Sequence, residues 1–198
     1  MDYEIIIQAL WLVLPAYIAN GFALLLGGGT PIDFGKKWKD GNRILGDGKT
    51  WRGLISGAFV GMIGGFGLSV AAKIINQTDY AFLGLNDFTG FPLMIPIIGS
   101  ICFGALIGDI IKSFFKRRVG IKRGGDWIPF DQIDFILGVL LFSFLMAGLL
   151  QILGITSNNW FFESFTLWHI LTLIIVTPFF HLFSNYVHKR SLAKRLNK

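Results

Sequence analysis

The chain has 198 residues, of which 53% are hydrophobic and only 15% charged, and its mean hydropathy is +0.61. Soluble domains carry about 25% charged residues, so this composition excludes an ordinary soluble protein and indicates one integral membrane domain over residues 1–198. The single cysteine, Cys102, excludes an internal disulfide framework. The net charge of +6 would suit nucleic acid, but its distribution along the chain favours a membrane topology, and no nucleic-acid partner is expected.

Five apolar segments are long enough to cross a bilayer as helices, which takes about 20 residues. They are predicted at 4–27, 53–75, 92–111, 131–153 and 164–187. The first segment has neither a basic leader nor a small-residue cleavage site, so we expect a retained helix rather than a signal peptide. The predicted fold class is therefore an all-α integral membrane protein with about five transmembrane helices.

Basic residues are distributed very unevenly between the predicted loops. Every Lys and Arg except Lys73 lies in the first loop, the third loop or the C-terminal tail. Short basic loops remain cytoplasmic, so we predict a multi-pass protein of the cell membrane with its N-terminus outside and its C-terminus in the cytoplasm. Taken alone, the basic clusters would equally suit attraction to anionic lipids.

The first loop ends in Gly46-Asp47-Gly48-Lys49-Thr50, which partly matches a P-loop. The match fails because Arg43 stands where the first glycine is required and because no strand precedes it. Lys49 and Arg52 remain candidate ligands for an anion. Thr50 is the candidate N-cap of the second span, whose free amides can receive phosphate oxygens.

The second span carries four glycines at intervals of four residues, which are Gly53, Gly57, Gly61 and Gly65. On a helix they form one smooth ridge that allows a neighbouring backbone to approach closely. Helix packing is the expected use of this ridge. A groove for a lipid chain, bordered by Phe59 and Phe66, is the alternative.

Three aspartates lie at the predicted cytoplasmic ends of two spans. Asp131 and Asp134 are three residues apart at the start of the fourth span, and Asp109 lies near the end of the third. Carboxylates that share a helix face repel each other and lose hydration at the membrane surface. A Mg²⁺ ion, which prefers carboxylate and phosphate oxygens, would resolve both problems. Helix capping is the simpler explanation for Asp131, but it does not explain Asp109 at a helix C-terminus.

Two motifs resemble the phosphatidate cytidylyltransferase family. GDIIKSFFKRRVGIK, followed by Pro129 and DQID, resembles that family's signature, and KTWRG at residues 49–53 resembles its K-T-W-E-G, with Arg52 replacing the acid. No His-Gly-Gly stands between Pro129 and Asp131, and Gln132 lies between the aspartates. In both respects the chain resembles the archaeal branch of the family, the CDP-archaeol synthases, which are five-helix proteins.

The resemblance implies a transferase of phospholipid biosynthesis that moves a cytidylyl group from CTP to a digeranylgeranylglyceryl phosphate and releases pyrophosphate, with Mg²⁺ as cofactor. It implies that the catalytic residues are Asp109, Asp131, Asp134 and Lys116, with the three aspartates also binding the metal. The residues expected to contact the CTP phosphates are Lys49, Thr50, Arg52, Ser113, Arg117, Lys122 and Arg123.

Two other functions remain open at the level of the residues. An ATP-dependent lipid kinase would use a similar metal and similar cations but would release a nucleoside diphosphate. A lipid or anion transporter would use the aspartates as a gate, but transporters usually have internal repeats and charges near the middle of the membrane. Here the charges cluster at one face, which favours catalysis at the cytoplasmic surface.

Overall fold

The computed structural model describes residues 3–122, 125, 127, 128 and 130–179. The helices are α1 (Tyr3–Leu25), α2 (Trp51–Ile75), α3 (Met94–Arg118), α4 (Phe130–Ile152), α5 (Trp160–Ser164) and α6 (Leu167–Phe179), with a short 3₁₀ helix at Ala81–Leu83. Among these residues there is no extended strand, only two isolated bridges in the loop before α2. The predicted all-α fold is therefore confirmed.

Four helices in the described part of the chain are long and apolar enough to cross a membrane. They are α1, α2, α3 and the portion of α4 from Ile133 to Ile152. The shorter apolar helix α6 lies within the predicted fifth span, 164–187, of which 180–187 fall outside the described residues. The predicted multi-pass architecture is confirmed to this extent.

Helix α3 continues seven residues beyond the predicted end of the third span, which was residue 111. Lys116, Arg117 and Arg118 occupy its last turn, where positive charge is favoured by the helix dipole. Gly120, with φ +76°, then donates to the carbonyl of Arg117, and Ile121 donates to that of Lys116, which forms a Schellman motif. The prediction that Asp109 lies at a helix C-terminus was therefore wrong, because more than two turns of helix follow it.

The glycine ridge of α2 packs against α1. A Cβ atom at Gly53 would lie 2.8 Å from the carbonyl oxygen of Ala23, and one at Gly57 would lie 2.6 Å from that of Ala19. One at Gly61 would lie 2.9 Å from that of Pro15. The ridge is thus covered by a neighbouring backbone at these positions, which confirms helix packing and leaves no lipid groove at Gly57 and Gly61. Gly53 also lines the cavity described below.

Helices α3 and α4 approach each other equally closely. A Cβ atom at Gly104 would lie 2.6 Å from the carbonyl oxygen of Gly138, and one at Gly108 would lie 2.6 Å from that of Asp134. Backbones that touch without intervening side chains fix the relative height of the two helices. This contact sets the first turns of α4 beside the part of α3 that carries Asp109.

The first and third loops, both basic, meet at one end of the helix bundle. Arg118 at the end of α3 donates to the carboxylate of Asp40 at 2.7 Å and to the carbonyl oxygen of Arg43 at 2.6 Å. Its guanidinium also lies 5.1 Å from the ring centre of Phe114. The two basic loops therefore form a single surface at one end of the described part of the molecule.

The second and fourth loops, both without basic residues, meet at the opposite end. Asn86 donates to the hydroxyl of Ser164 at 2.8 Å, and its carbonyl accepts from the indole of Trp11 at 3.0 Å. Gln8 donates to the carbonyl of Leu83 at 2.7 Å. The first and third loops thus lie at one end of the bundle and the second and fourth at the other, as a chain that crosses the membrane repeatedly requires.

Candidate active site

Three carboxylates converge on the ammonium group of Lys112. The Nζ atom of Lys112 lies 3.0 Å from Oδ1 of Asp109, 2.9 Å from Oδ2 of Asp134 and 3.4 Å from Oδ1 of Asp131. Asp109 and Lys112 lie one turn apart on α3, and the two other aspartates lie in the first turns of α4. The close packing of these helices therefore brings the three predicted acids together around Lys112, which was not among the predicted site residues.

Two further lysines complete the cluster. Lys49, from the first loop, donates to Oδ2 of Asp109. Lys116, one turn after Lys112, lies 2.9 Å from both carboxylate oxygens of Asp131, and the backbone amide of Trp127 donates to the same carboxylate at 2.6 Å. We call the six side chains the ion cluster, which consists of Lys49, Asp109, Lys112, Lys116, Asp131 and Asp134.

The ion cluster is electrically balanced and largely removed from solvent. Three carboxylates face three ammonium groups, and the side chain of Asp134, the most buried member, is only 8% exposed. In such surroundings an unpaired charge is costly, while a paired one is held firmly. Any ligand that removes one member must therefore supply a charge to replace it.

One atom of the ion cluster keeps unused bonding capacity. Oδ2 of Asp134 is buried and close to Lys112 Nζ, but their geometry is that of an ion pair without a well-directed hydrogen bond. Within the described part of the chain, no group of three or more His, Cys, Asp or Glu side chains is placed to hold a metal as it stands. We attribute this to Lys112, whose ammonium occupies the centre of the carboxylates.

A cavity of about 740 Å³ opens beside the ion cluster. It lies between α1, α2, α3, α4 and α6, and most of its wall is apolar. Leu10, Leu14 and Leu24 of α1 form part of the apolar wall, while Asp109 and Lys112 lie at the polar end. The cavity can therefore receive a molecule with a strongly anionic portion and a hydrocarbon portion.

Asp33 organises the first loop that carries Lys49 to the cavity. Its buried carboxylate accepts two hydrogen bonds from the guanidinium of Arg43, at 2.8 and 3.2 Å. It also accepts from the backbone amides of Leu45 and Gly46 at 3.0 Å and of Gly35 at 3.1 Å. Burial alone would raise the pKa of Asp33, but these bonds to the charged form outweigh it and hold the pKa well below its usual range.

We expect Asp33→Asn to weaken the acid dependence of stability. A carboxyl whose pKa is lower in the folded than in the unfolded state stabilises the fold above its unfolded pKa, near 3.9, and this contribution is lost as the pH falls towards the folded value. Thermal unfolding of the detergent-solubilised protein between pH 7 and roughly pH 3.5 should therefore show a lower stability for the variant at pH 7. The difference should narrow on acidification, and a constant difference would contradict this role for the Asp33 charge.

Of the other predicted phosphate ligands, Thr50 lies at the cavity, whereas Ser113 and Arg117 bind backbone carbonyls. Thr50 is the N-cap of α2, as predicted, because its hydroxyl accepts from the amide of Gly53 at 3.1 Å, and it also lines the cavity. Ser113 instead donates to the carbonyl of Asp109 within α3 at 2.8 Å. Arg117 binds the backbone carbonyls of Leu45 and Ile121, which ties the two basic loops together.

Three further predicted ligands lie away from the cavity or outside the description. The side chains of Arg52 and Lys122 are exposed and are not among the residues that line the cavity, and Arg123 falls outside the described residues. Their contacts with a nucleotide remain predictions.

Comparison with known proteins gives consistent matches over almost the whole chain. The family model described as CarS-like, CDP-archaeol synthase, matches residues 2–196. The CDP-archaeol synthase of Methanosarcina barkeri is 42% identical over 88% of this chain and 94% of its own length. That of Archaeoglobus fulgidus is 38% identical over 98% of this chain and 96% of its own.

A solved structure agrees with the sequence matches. It is described as an intramembrane enzyme for the biosynthesis of archaeal membrane lipids, and it is 31% identical to this chain. It superimposes with a TM-score of 0.68 over 91% of this chain and 94% of its own length. From the family model, the curated relatives and this shared fold, the chain belongs to the CDP-archaeol synthase family.

Proposed function

We propose that the protein transfers the cytidylyl group of CTP to the phosphate of an archaeal ether lipid, 2,3-bis-O-geranylgeranyl-sn-glycerol 1-phosphate, and releases pyrophosphate. Membership of the CDP-archaeol synthase family is the observation that carries this proposal. The cavity suits both substrates, because charged groups at its polar end can meet phosphates and its apolar wall can meet hydrocarbon chains.

The reaction joins two anions. An oxygen of the lipid phosphate attacks the α-phosphorus of CTP, a new phosphorus–oxygen bond forms, and the bond from that phosphorus to the β-phosphate bridge breaks, so that pyrophosphate leaves. The lipid phosphate needs no general base, because its second pKa is near 6 and it is already ionised at neutral pH. The main barrier is electrostatic, and the ammonium groups of Lys49 and Lys112, which line the cavity, are placed to reduce it. Lys116 pairs with Asp131 beside them.

The ion cluster has the donor chemistry of a magnesium site. Oxygens of Asp109, Asp131 and Asp134 already surround one cationic centre, and Oδ2 of Asp134 keeps unused capacity. We propose that these three carboxylates hold Mg²⁺, although they must draw closer than they are around Lys112. When bound, the ion would neutralise charge on phosphate oxygens.

The proposal is tested by offering the purified protein labelled CTP, Mg²⁺ and equal amounts of a geranylgeranyl-ether and a diacyl glycerol phosphate. We expect a labelled lipid together with pyrophosphate, and a preference for the ether lipid. Preference for the diacyl lipid would overturn the lipid assignment alone. Formation of ADP with ATP in place of CTP, and no labelled lipid from CTP, would indicate the lipid kinase instead. If neither a labelled lipid nor ADP forms, the proposed transfer is wrong and the transporter becomes the better interpretation.

We further propose that the ion cluster faces the cytoplasm, where CTP is found, with the N-terminus outside. Cysteines introduced at Asp79 and Ser157, both exposed, should then react with an impermeant thiol reagent from outside intact cells. A cysteine at Lys39 in the first loop should react only after the cells are opened. The native Cys102 is buried and should remain silent. Labelling of Lys39→Cys from outside would reverse the topology.

We expect Lys49→Ala to raise KM for CTP or to lower kcat, by about tenfold or more together in kcat/KM. Lys49 lines the cavity and donates to Asp109, so it is placed to contact a phosphate once a ligand competes for it. Lys39→Ala is the matched control, since Lys39 is exposed in the same loop and does not line the cavity. Equal effects of the two variants would indicate that both lysines serve only the surface potential.

A further inference from the structure

Lys112 holds the position that a metal ion would need. Its ammonium lies within 3.4 Å of an oxygen from each of the three carboxylates, and its side chain is only 15% exposed. Lys49 and Lys116 each pair with one of these acids from the periphery of the cluster, whereas Lys112 alone reaches all three. A lysine in this place is a cation that the chain itself supplies.

We propose that Lys112 is a built-in counter-ion that competes with the divalent cation for the three carboxylates. This inference rests on the proposed function. Without ligands the ion cluster is neutral, so a divalent cation that binds alone must displace an ammonium and leave it unpaired in a buried place. When CTP binds as well, its triphosphate offers the displaced ammonium new anionic partners. The divalent cation and CTP are thus bound together, by an exchange of ion pairs.

The geometry permits this exchange. Lys112 lines the cavity, so its flexible four-carbon side chain can turn from the carboxylates towards a phosphate without leaving the site. Lys116 is less free to do so, because it also donates to the backbone carbonyl of Gly125 at 2.5 Å. Lys112 therefore acts as a positioning residue before the ligands bind and as a phosphate ligand afterwards.

The competition predicts that removing the Lys112 ammonium strengthens metal binding in the absence of nucleotide. Mn²⁺ serves as the probe, and its binding to the full-length protein in detergent is measured by electron paramagnetic resonance. We expect Lys112→Met to bind Mn²⁺ about tenfold more tightly than the wild type, because the charge repulsion between the Lys112 ammonium and the metal ion has been removed. Lys39→Met, which removes the same charge from the exposed part of the first loop, should leave Mn²⁺ affinity unchanged.

Nucleotide should strengthen Mn²⁺ binding to different extents in the two proteins. A non-hydrolysable CTP analogue should raise the Mn²⁺ affinity of the wild type much more than that of Lys112→Met. In the variant no displaced ammonium needs a new anionic partner. A lysine with only a structural role would not produce a gain in metal affinity. Equal or weaker Mn²⁺ binding by Lys112→Met, in the absence of nucleotide, would overturn the proposal.

Stability provides a second measurement. In EDTA, Lys112→Met should unfold at a lower temperature than the wild type, because three carboxylates then lack their shared counter-ion. Added Mn²⁺ should raise the unfolding temperature of the variant and so remove most of this difference. If the methionine variant does not fold, Lys112→Gln keeps a polar side chain and should show the same gain in Mn²⁺ affinity. Should the wild type form the CDP-lipid while neither variant gains affinity, this proposal fails and the proposed function stands.

Discussion

Asp134→Asn should lower the rate of CDP-lipid formation by about 100-fold or more, while the protein remains folded. Asparagine keeps the size of the side chain but removes the charge of a carboxylate that is only 8% exposed and 2.9 Å from Lys112. Loss of a ligand that helps to neutralise phosphate charge costs several kcal/mol of transition-state stabilisation, and each 1.4 kcal/mol is about tenfold in rate. The measurement is initial rate against Mg²⁺ concentration, with thermal unfolding to verify the fold.

Asp131→Asn should have an effect in the same direction, since Asp131 shares the helix face with Asp134 and pairs with Lys112 and Lys116. Asp87→Asn is the matched control, because Asp87 also faces a lysine, Lys73 at 4.0 Å, but at the opposite end of the bundle. Near-normal turnover of both cluster variants at limiting Mg²⁺ would reduce the two aspartates to favourable charges in the first turns of α4.

The helices were predictable because the bilayer imposes a strong and simple constraint. Apolar length alone located the four long helices to within a few residues at their starts, and the distribution of Lys and Arg indicated which loops would meet. The end of α3 was missed because hydropathy falls at Lys112, although the helix continues. Gly120, directly after a basic last turn, was the signal that would have placed the helix end correctly.

The acids of the site were predictable, but their partner was not recognised. Mutual repulsion of the aspartates correctly implied a cation between them, and a metal was predicted because Mg²⁺ prefers carboxylate and phosphate oxygens. The span was predicted to end at residue 111, so Lys112 was not considered as the partner. Once α3 is known to continue, Asp109 and Lys112 are three residues apart on one helix face, a spacing that favours an ion pair. The sequence therefore contained this signal, but reading it required the correct helix length.

Asp33 could not have been identified from the sequence. In GGGTPIDFGKKWKDG it is one acid of a polar loop, with no helical or strand periodicity to indicate which way it faces. Its importance comes from five hydrogen bonds, three of them from backbone amides, that exist only in the folded loop. Loops of this kind are held by local satisfaction of polar groups, for which sequence patterns give little information.

The contact between α3 and α4 is expected to be as important as the charges that it positions. Gly108→Val should abolish most activity and lower the unfolding temperature. Even a Cβ atom at this position would lie 2.6 Å from the backbone oxygen of Asp134, so the helices must separate to accept a side chain. Because this oxygen belongs to a backbone that carries two acids of the ion cluster, any separation moves these acids away from Lys112.

The size of the substituent provides the internal comparison for this prediction. Gly108→Ala should have a smaller effect in the same direction, since it forces a smaller shift, and Gly148→Ala on α4 should be tolerated because nothing lies within 4 Å of its added Cβ. Overpacking of a close-packed interface costs about 1–3 kcal/mol. The loss of stability should therefore increase from Gly148→Ala through Gly108→Ala to Gly108→Val. If Gly108→Val lowered stability yet left kcat/KM unchanged, the distance between α3 and α4 would not control the ion cluster. A parallel loss of activity and of Mn²⁺ affinity would show that packing at Gly108 sets the geometry of the carboxylates.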